Sequence, residues 1–300
     1  MSLKEAVSKF VQDGEMVVFG GLSFMQSYAF AYELIRQKKR ELTVVRGAGD
    51  VLVDMLIGGG CVRRIIASHV WNSIGPTPAH CFRRAMEKGV PQWVEMEDYS
   101  LGTLTLALMA GAMDLPFVPC TPSEGTGQFL HRSFFGENKY RVVSSPFTGE
   151  KTCVVAPLKP DVALIHVQRA DAAGNAQAWG GIADIKYSAH ASRKILVSAE
   201  EIVPTEVIKE SPNDTIIPSF RVSAVVEAPW GAHPSDVYRY YDRDLDFYRF
   251  YGQKTKDLVG TEAFLQEWIH SVEDCEQFMA KLGEDRLEKL AALYGRERWY

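Results

Sequence analysis

The chain has 300 residues, 46% of them hydrophobic and 24% charged. Those proportions exclude disordered and fibrous classes and allow a sizeable core without disulfides or metal, in one large α/β domain or two smaller ones. With a formal net charge of −5 and no basic run beyond Lys38-Lys39-Arg40, a nucleic-acid backbone would find little electrostatic footing.

Met1 to Glu15 reads as an amphipathic helix carrying Lys4, Glu5, Lys9 and Asp13, without the apolar stretch of a signal peptide. β-Branched or apolar runs then alternate with helix-period segments. Met16-Val17-Val18-Phe19 precedes a helix over Tyr28 to Arg36. Leu42 to Val45 precedes one over Asp50 to Ile57, and Val62 to Ile66 one around Pro78 to Glu87. A strand at Trp93 to Met96 leads to a helix from Ser100 to Met113 and an apolar run from Pro116 to Cys120. This alternation is the signature of βαβ crossovers and predicts an α/β fold: a doubly wound, mostly parallel sheet with helices on both faces. From Ser123 to Glu150 the periodicity fails among Gly125, Gly127, Gly136, Pro146 and Gly149, which predicts a long irregular insertion. Strand patterns return at Cys153 to Val155, Val162 to Val167, Lys194 to Val197 and Val222 to Val226. Helical patterns over Thr261 to His270, Asp274 to Leu282 and Asp285 to Leu293 close the chain. With no internal repeat or low-complexity linker, residues 1–300 read as a single unit. The longest apolar stretch, Leu104 to Met113, is about half the ~20 residues that span a bilayer. Five cysteines, none in a C-x-x-C arrangement, suit unpaired thiols in a reducing compartment, so a cytoplasmic location is expected.

Four segments carry candidate chemistry. Gly20-Gly21 follows the first strand directly; paired glycines there would let a ligand approach the backbone where open α/β sheets place their sites, or would serve as an ordinary tight turn. No G-x-G-x-x-G or phosphate-loop spacing surrounds them. Asn72 and Ser73, beside Gly75, offer hydrogen-bonding side chains beyond the third strand, where turn chemistry alone would also explain them. Around the end of the fourth strand stand Glu95, Glu97 and Asp98; Glu95 and Glu97 share one face, so their two carboxylates would converge near the helix start at Ser100, and an exposed strand end before an acidic helix start is the alternative. Glu124, flanked by Gly125, Thr126 and Gly127, opens the insertion as a carboxylate in a narrow cleft or as a solvated loop. The histidines show no metal-ligand spacing, and no metal is expected.

In this order the segments resemble the alpha subunits of the family I CoA-transferases, of the glutaconate CoA-transferase type. Asp13 to Gly21, Asp54 to Gly58, Met96 to Ser100, Leu115 to Pro119 and Val162 to Gln168 carry the resemblance. Trp179-Gly180-Gly181 and Ala228-Pro229-Trp230-Gly231-Ala232-His233-Pro234-Ser235 are its most specific parts. The resemblance implies exchange of coenzyme A between an acyl-CoA and a small organic acid, through acyl-glutamyl anhydride and enzyme-CoA thioester intermediates. It implies a heteromer whose catalytic glutamate lies on a beta subunit, with the coenzyme A thioester as substrate and no permanently bound cofactor. It places Asn72 and Ser73 among active-site hydrogen-bonding residues, Gly20 and Gly21 at the family's glycine turn, and Gly125 to Gly127 at its glycine loop. Related scaffolds also serve CoA-ester hydrolases, decarboxylases and non-catalytic metabolite-binding proteins. Two departures stand out. Leu22-Ser23-Phe24-Met25-Gln26-Ser27 replaces a segment that is basic and proline-bearing in relatives, so Ser23 and Gln26 are expected to meet a less dicarboxylate-like acid. Glu124 stands where a comparable relative is not acidic.

Overall fold

The computed structural model describes residues 1–72, 74, 77–120, 126–130 and 139–291. Seven parallel strands form the central sheet: β1 (Met16–Phe19), β2 (Leu42–Arg46), β3 (Val62–Ala67), β4 (Glu95–Asp98), β8 (Val162–Asp171), β10 (Lys194–Val203) and β12 (Ala224–Glu227). Their spatial order is β4-β3-β2-β1-β8-β10-β12. β9 (Ala176–Gln177) folds back antiparallel on the distal half of β8, and β11 (Thr215–Ile217) pairs antiparallel with β9. Chain order therefore runs outward from β1 in one direction through β4, and from β8 in the other through β12. The sheet is doubly wound, with its topological switch point between β1 and β8.

Strand side chains alternate between two cores, as the period of two requires. Val17, Phe19, Val44, Leu164 and Leu196 face one apolar cluster. Its helices are α1 (Leu3–Phe10), α2 (Tyr28–Arg36), α3 (Val51–Gly58), α4 (His80–Lys88) and, from the chain's end, α9 (Leu245–Lys254), α10 (Leu258–Leu265) and α11 (Cys275–Leu282). Val18, Val45, Ala163, Ile165 and Val197 face the other, against α5 (Leu101–Ala112) and α7 (Ile185–Ala191). A second, antiparallel sheet covers part of this face. It contains β5 (Val118–Pro119), β6 (Tyr140–Ser144) and β7 (Lys151–Val155), in the order β5-β7-β6. The remaining helices are α6 (Gly127–Leu130), α8 (Thr205–Glu210) and α12 (Glu284–Ala291). No helix of the described residues is long and apolar enough to cross a membrane.

The sequence reading does not place α7, α8, α9, β9 or β11, and the structure departs from what it does place at several points. The first helix stops at Phe10, because Val11 is extended and Gly14 turns the chain at φ 81°. The fourth strand starts two residues late, at Glu95, since its register places Glu95 opposite Arg64 and leaves Trp93 exposed. The stretch expected to be wholly irregular contains β6, whose exposed outer side hides the apolar alternation a strand search needs. The last sheet strand begins at Ala224 rather than Val222.

Candidate active site

The carboxyl ends of the parallel strands meet at one edge, and residue 46 organises its centre. Arg46 ends β2 as the largest fully buried side chain among the described residues. Its Nη1 donates to the carbonyls of Phe19 (3.0 Å), Gly20 (2.9 Å) and Gly21 (2.5 Å), and its Nη2 to that of Leu22 (2.5 Å). Asp50 lies 3.9 Å away and caps α3 by accepting from the Leu52 amide. Burial raises the Asp50 carboxyl above its ordinary range while Arg46 opposes the rise. A guanidinium with five donors suits such a cradle of carbonyls, which must be satisfied where they are buried.

Gly20 and Gly21 lie beyond β1 as expected, but their amides are already taken. The Gly20 N–H reaches the Leu164 carbonyl at 3.4 Å, and the Gly21 N–H donates to Asp184 Oδ1 at 3.0 Å. Gly21 is at φ 83°, and a Cβ there would lie 2.5 Å from the Phe24 carbonyl oxygen, so the turn itself requires glycine. Asp184 is buried, and desolvation pushes its carboxyl up to about 6 against the pull of Arg46. Ser23 is half-buried and its carbonyl accepts from Arg243 at 2.9 Å. Gln26 and Met25 turn inward. Gln26 Nε2 donates to Asp50 at 2.5 Å, and its amide donates to Ser235 Oγ at 3.0 Å. The expected ligand-facing surface of this loop therefore reduces to Leu22, Ser23 and Phe24.

The expected convergence of Glu95 and Glu97 does not occur. Glu95 is half-exposed and pairs with Arg64 at 2.8 Å. Glu97 is buried beside the Tyr99 hydroxyl, and Asp98 stands exposed with its carbonyl accepting from Lys139. Lys139 is itself buried, with Nζ 4.4 Å from the Tyr99 ring centroid, and burial lowers its pKa. Asn72 is buried and closes a turn by donating to Thr77 Oγ1 at 2.7 Å; its Oδ1 has no partner among the described residues. Thr126 and Gly127 are exposed, and Gly127 opens α6. Ser73, Glu124 and Gly125 lie outside the described residues.

Sequence reasoning missed Arg46, Asp50 and Asp184, and the way the chain fills its own switch point. The 178–184 segment leaves β9, and Gly181 packs against the Phe24 ring, where a Cβ would lie 2.9 Å from the ring edge. Beside this plug, between Trp179-Gly180 and the turn Val237 to Tyr241, lies an open cleft of about 800 Å³. Across its floor Arg169 and Glu201 face each other on β8 and β10 at 3.8 Å, and the Tyr240 hydroxyl donates to Glu201. Arg169 stacks over Trp179 at 5.2 Å. The preceding residue on β10, Glu200, points into the core, accepting from the Tyr241 hydroxyl at 2.5 Å and the Trp230 amide at 2.7 Å, with His166 Nε2 at 2.7 Å. This network fixes both the Ala228 to Ser235 segment and the turn that walls the cleft. Met25, Ala183, Trp230 and Arg239 all hold positive φ, so strained backbone gathers at this edge, as it does at functional sites.

A family model described as coenzyme A transferase matches residues 1–228. The chain is 34% identical over 292 aligned residues to the A subunit of 3-oxoadipate CoA-transferase from Pseudomonas knackmussii, spanning 95% of this chain and 99% of that one. It is 34% identical over 307 aligned positions to the A subunit of glutaconate CoA-transferase from Acidaminococcus fermentans, spanning 98% and 95%. The crystal structure of glutaconate coenzyme A-transferase from that organism superposes with a TM-score of 0.89 over 97% of this chain and 94% of that one. That of the decarboxylase AibA/AibB superposes at 0.76, with 28% identity over 89% and 97%.

Proposed function

The chain belongs to the coenzyme A transferase family, and on that footing we propose that it is the alpha subunit of a heteromeric enzyme moving coenzyme A between an acyl-CoA and a small organic acid. The observation that carries the division of labour is the state of its carboxylates. Among the described residues at the carboxyl edge, Asp50, Asp184, Glu97 and Glu200 are buried and engaged within the chain, Glu201 is held by Tyr240 and Arg169, and Asp98 and Glu227 stand in solvent. A carboxylate that attacks a thioester must be ionised, unengaged and within reach of the acyl carbon. That group is assigned to the partner, and this chain supplies one wall of a shared site.

In that wall Asn72, whose Oδ1 has no partner among the described residues, and Ser73 are the hydrogen-bonding residues offered to the reacting groups. Leu22, Ser23 and Phe24 line the acid's approach, held in place by the Arg46 cradle. The partner's carboxylate would attack the acyl-CoA carbonyl and release the coenzyme A thiolate, leaving a mixed anhydride. Attack of the thiolate on the glutamyl carbonyl then releases the first acid and leaves an enzyme thioester, and a second acid reverses the sequence. The buried, internally bonded edge of this chain excludes water from the reactive intermediates.

The test is to purify the chain alone and with its co-purifying partner, and to assay exchange between acetyl-CoA and a panel of acids. Exchange by the complex only, with a coenzyme A mass adduct on the partner, is expected. Turnover by the isolated chain, or an adduct on Glu124, would overturn the assignment. Release of free coenzyme A without an acceptor acid would make it a hydrolase, and release of carbon dioxide a decarboxylase.

A further inference from the structure

The cleft beside the plugged switch point has a feature that the fold does not require. The turn from Val237 to Tyr241 is closed by paired backbone hydrogen bonds, with the Val237 N–H donating to the Tyr241 carbonyl at 3.0 Å and the Tyr241 N–H returning at 3.1 Å. Its middle residue, Arg239, sits at φ 71°. Glycine or asparagine is the usual choice for that conformation in a short hairpin turn. Arg239 is exposed, stacks on the Tyr238 ring at 5.7 Å, and makes no ion pair among the described residues. The cleft's other cation, Arg169, already faces Glu201. Trp179 forms part of the opposite wall, and its Nε1 has no acceptor among the described residues.

A left-handed arginine at the lip of a cleft forgoes backbone comfort to place an uncommitted cation there. We propose that Arg239 is a specificity residue that binds an anionic oxygen group of a reactant, a carboxylate or a phosphate, in the cleft between Trp179 and Tyr240. A planar guanidinium already stacked on an aromatic ring loses little freedom on pairing with either group, and can meet it with two parallel hydrogen bonds. The stem of the same anion would lie against Trp179 and Tyr240. This also changes the expectation drawn from the loop after β1. The absence of cations between Leu22 and Ser27 is not an absence of cations at the edge, because Gly181 brings the cleft next to Phe24. The proposal rests on the transferase reading only for the two sources of the anion, the organic acid and coenzyme A itself.

Both sources can be separated on the full chain by following tryptophan fluorescence, with Trp179→Phe identifying the cleft signal. The probes are glutarate against butyrate, and coenzyme A against 3′-dephospho-coenzyme A. Saturable binding of the more anionic member of at least one pair is expected. Arg239→Gly should weaken it at least tenfold, Arg239→Lys should weaken it by an intermediate factor, since it keeps the charge and loses the fork, and the urea midpoint of Arg239→Gly should equal or exceed that of the wild type, because glycine relieves the backbone. Preference for glutarate over butyrate assigns the anion to the acid, and preference for coenzyme A over the dephospho form assigns it to the phosphate. No saturable binding of any probe, or equal binding by Arg239→Gly and wild type, would overturn the proposal. Coenzyme A exchange by the assembled complex judges the transferase reading separately: a wild-type complex that exchanges normally while Arg239→Gly keeps its affinities removes the anion site and leaves that reading intact.

Discussion

Removing the Arg46 guanidinium tests whether the edge is built around it. Arg46→Met keeps the length of the stem and deletes donors that serve four carbonyls and stand beside Asp50. Breaking a buried charged arrangement by deleting one partner costs about 3–5 kcal/mol, against a total stability of about 5–15 kcal/mol for a typical domain. Arg46→Lys keeps the charge and loses the second arm of the fork, which now holds Leu22; one charge-assisted hydrogen bond is worth about 1.5–3 kcal/mol. The two variants should therefore rank wild type, lysine, methionine in urea unfolding, with unchanged slopes. The gap should also depend on pH. The Asp50 carboxyl is already raised above its ordinary 3.8 by burial, and Arg46 is the largest influence pulling it down. Without Arg46 it rises further. A folded-state pKa above the unfolded one costs no stability in acid and progressively more as pH climbs past the unfolded value, so Arg46→Met should fall further behind as pH rises above that value. A methionine variant within about 1 kcal/mol of wild type, or a gap that stays constant with pH, would refute the reasoning.

Gly21→Ala should destabilise the chain by about 2 kcal/mol or more, from the left-handed backbone and the overlap with the Phe24 carbonyl, read as a lowered urea midpoint. Asp184→Asn retains an acceptor for the Gly21 amide but does not titrate. Since the Asp184 carboxyl is raised from 3.8 to about 6, wild type should lose about 3 kcal/mol relative to the variant between pH 4 and pH 7; parallel stability curves would contradict this. Ser73→Ala should lower kcat/KM of the assembled enzyme tenfold to a hundredfold, the loss of one hydrogen bond to a charged group, with little change in unfolding. Unchanged kinetics would leave Ser73 a turn residue.

The strands of the central sheet were legible where apolar runs are continuous, at Met16 to Phe19, Leu42 to Val45 and Val162 to Val167, because both faces of these strands are covered, and at Val62 to Ile66 from its apolar ends despite the exposed Arg63. Strands that bury one face or none escaped. β6 buries only Tyr140 and exposes Arg141, Val142 and Ser144, so it shows no alternation, and β9 and β11 are too short to show a period. The position of Gly20-Gly21 at the carboxyl edge followed from the strand before it. The role of its amides did not, since Asp184 reaches it from a distant part of the chain. An arginine at the end of an apolar strand, four residues before the Asp50 cap, was the available signal for the cradle. It is recognisable only once residues 19–22 are known to fold over it. The cleft likewise needs Trp179 and Tyr240 side by side, a meeting set by the Glu200 network rather than by any local pattern.

The Arg46 cradle grips backbone alone. It holds residues 19–22 by their carbonyl oxygens, while Met25 and Gln26 anchor the loop's far end through Asp236, Ser235 and Asp50. The side chains of Leu22, Ser23 and Phe24 are thus carried on a rigid frame to which they contribute no polar anchoring, like interchangeable bits in a fixed chuck. Mutational drift at Leu22 and Ser23 can retune which acid is accepted with little effect on the fold's energetics, whereas Phe24 also packs against Gly181. A saturation library at Leu22 and Ser23 should accordingly yield mostly folded proteins with diverse substrate profiles, whereas one at Arg46 or Gly21 should yield few that fold.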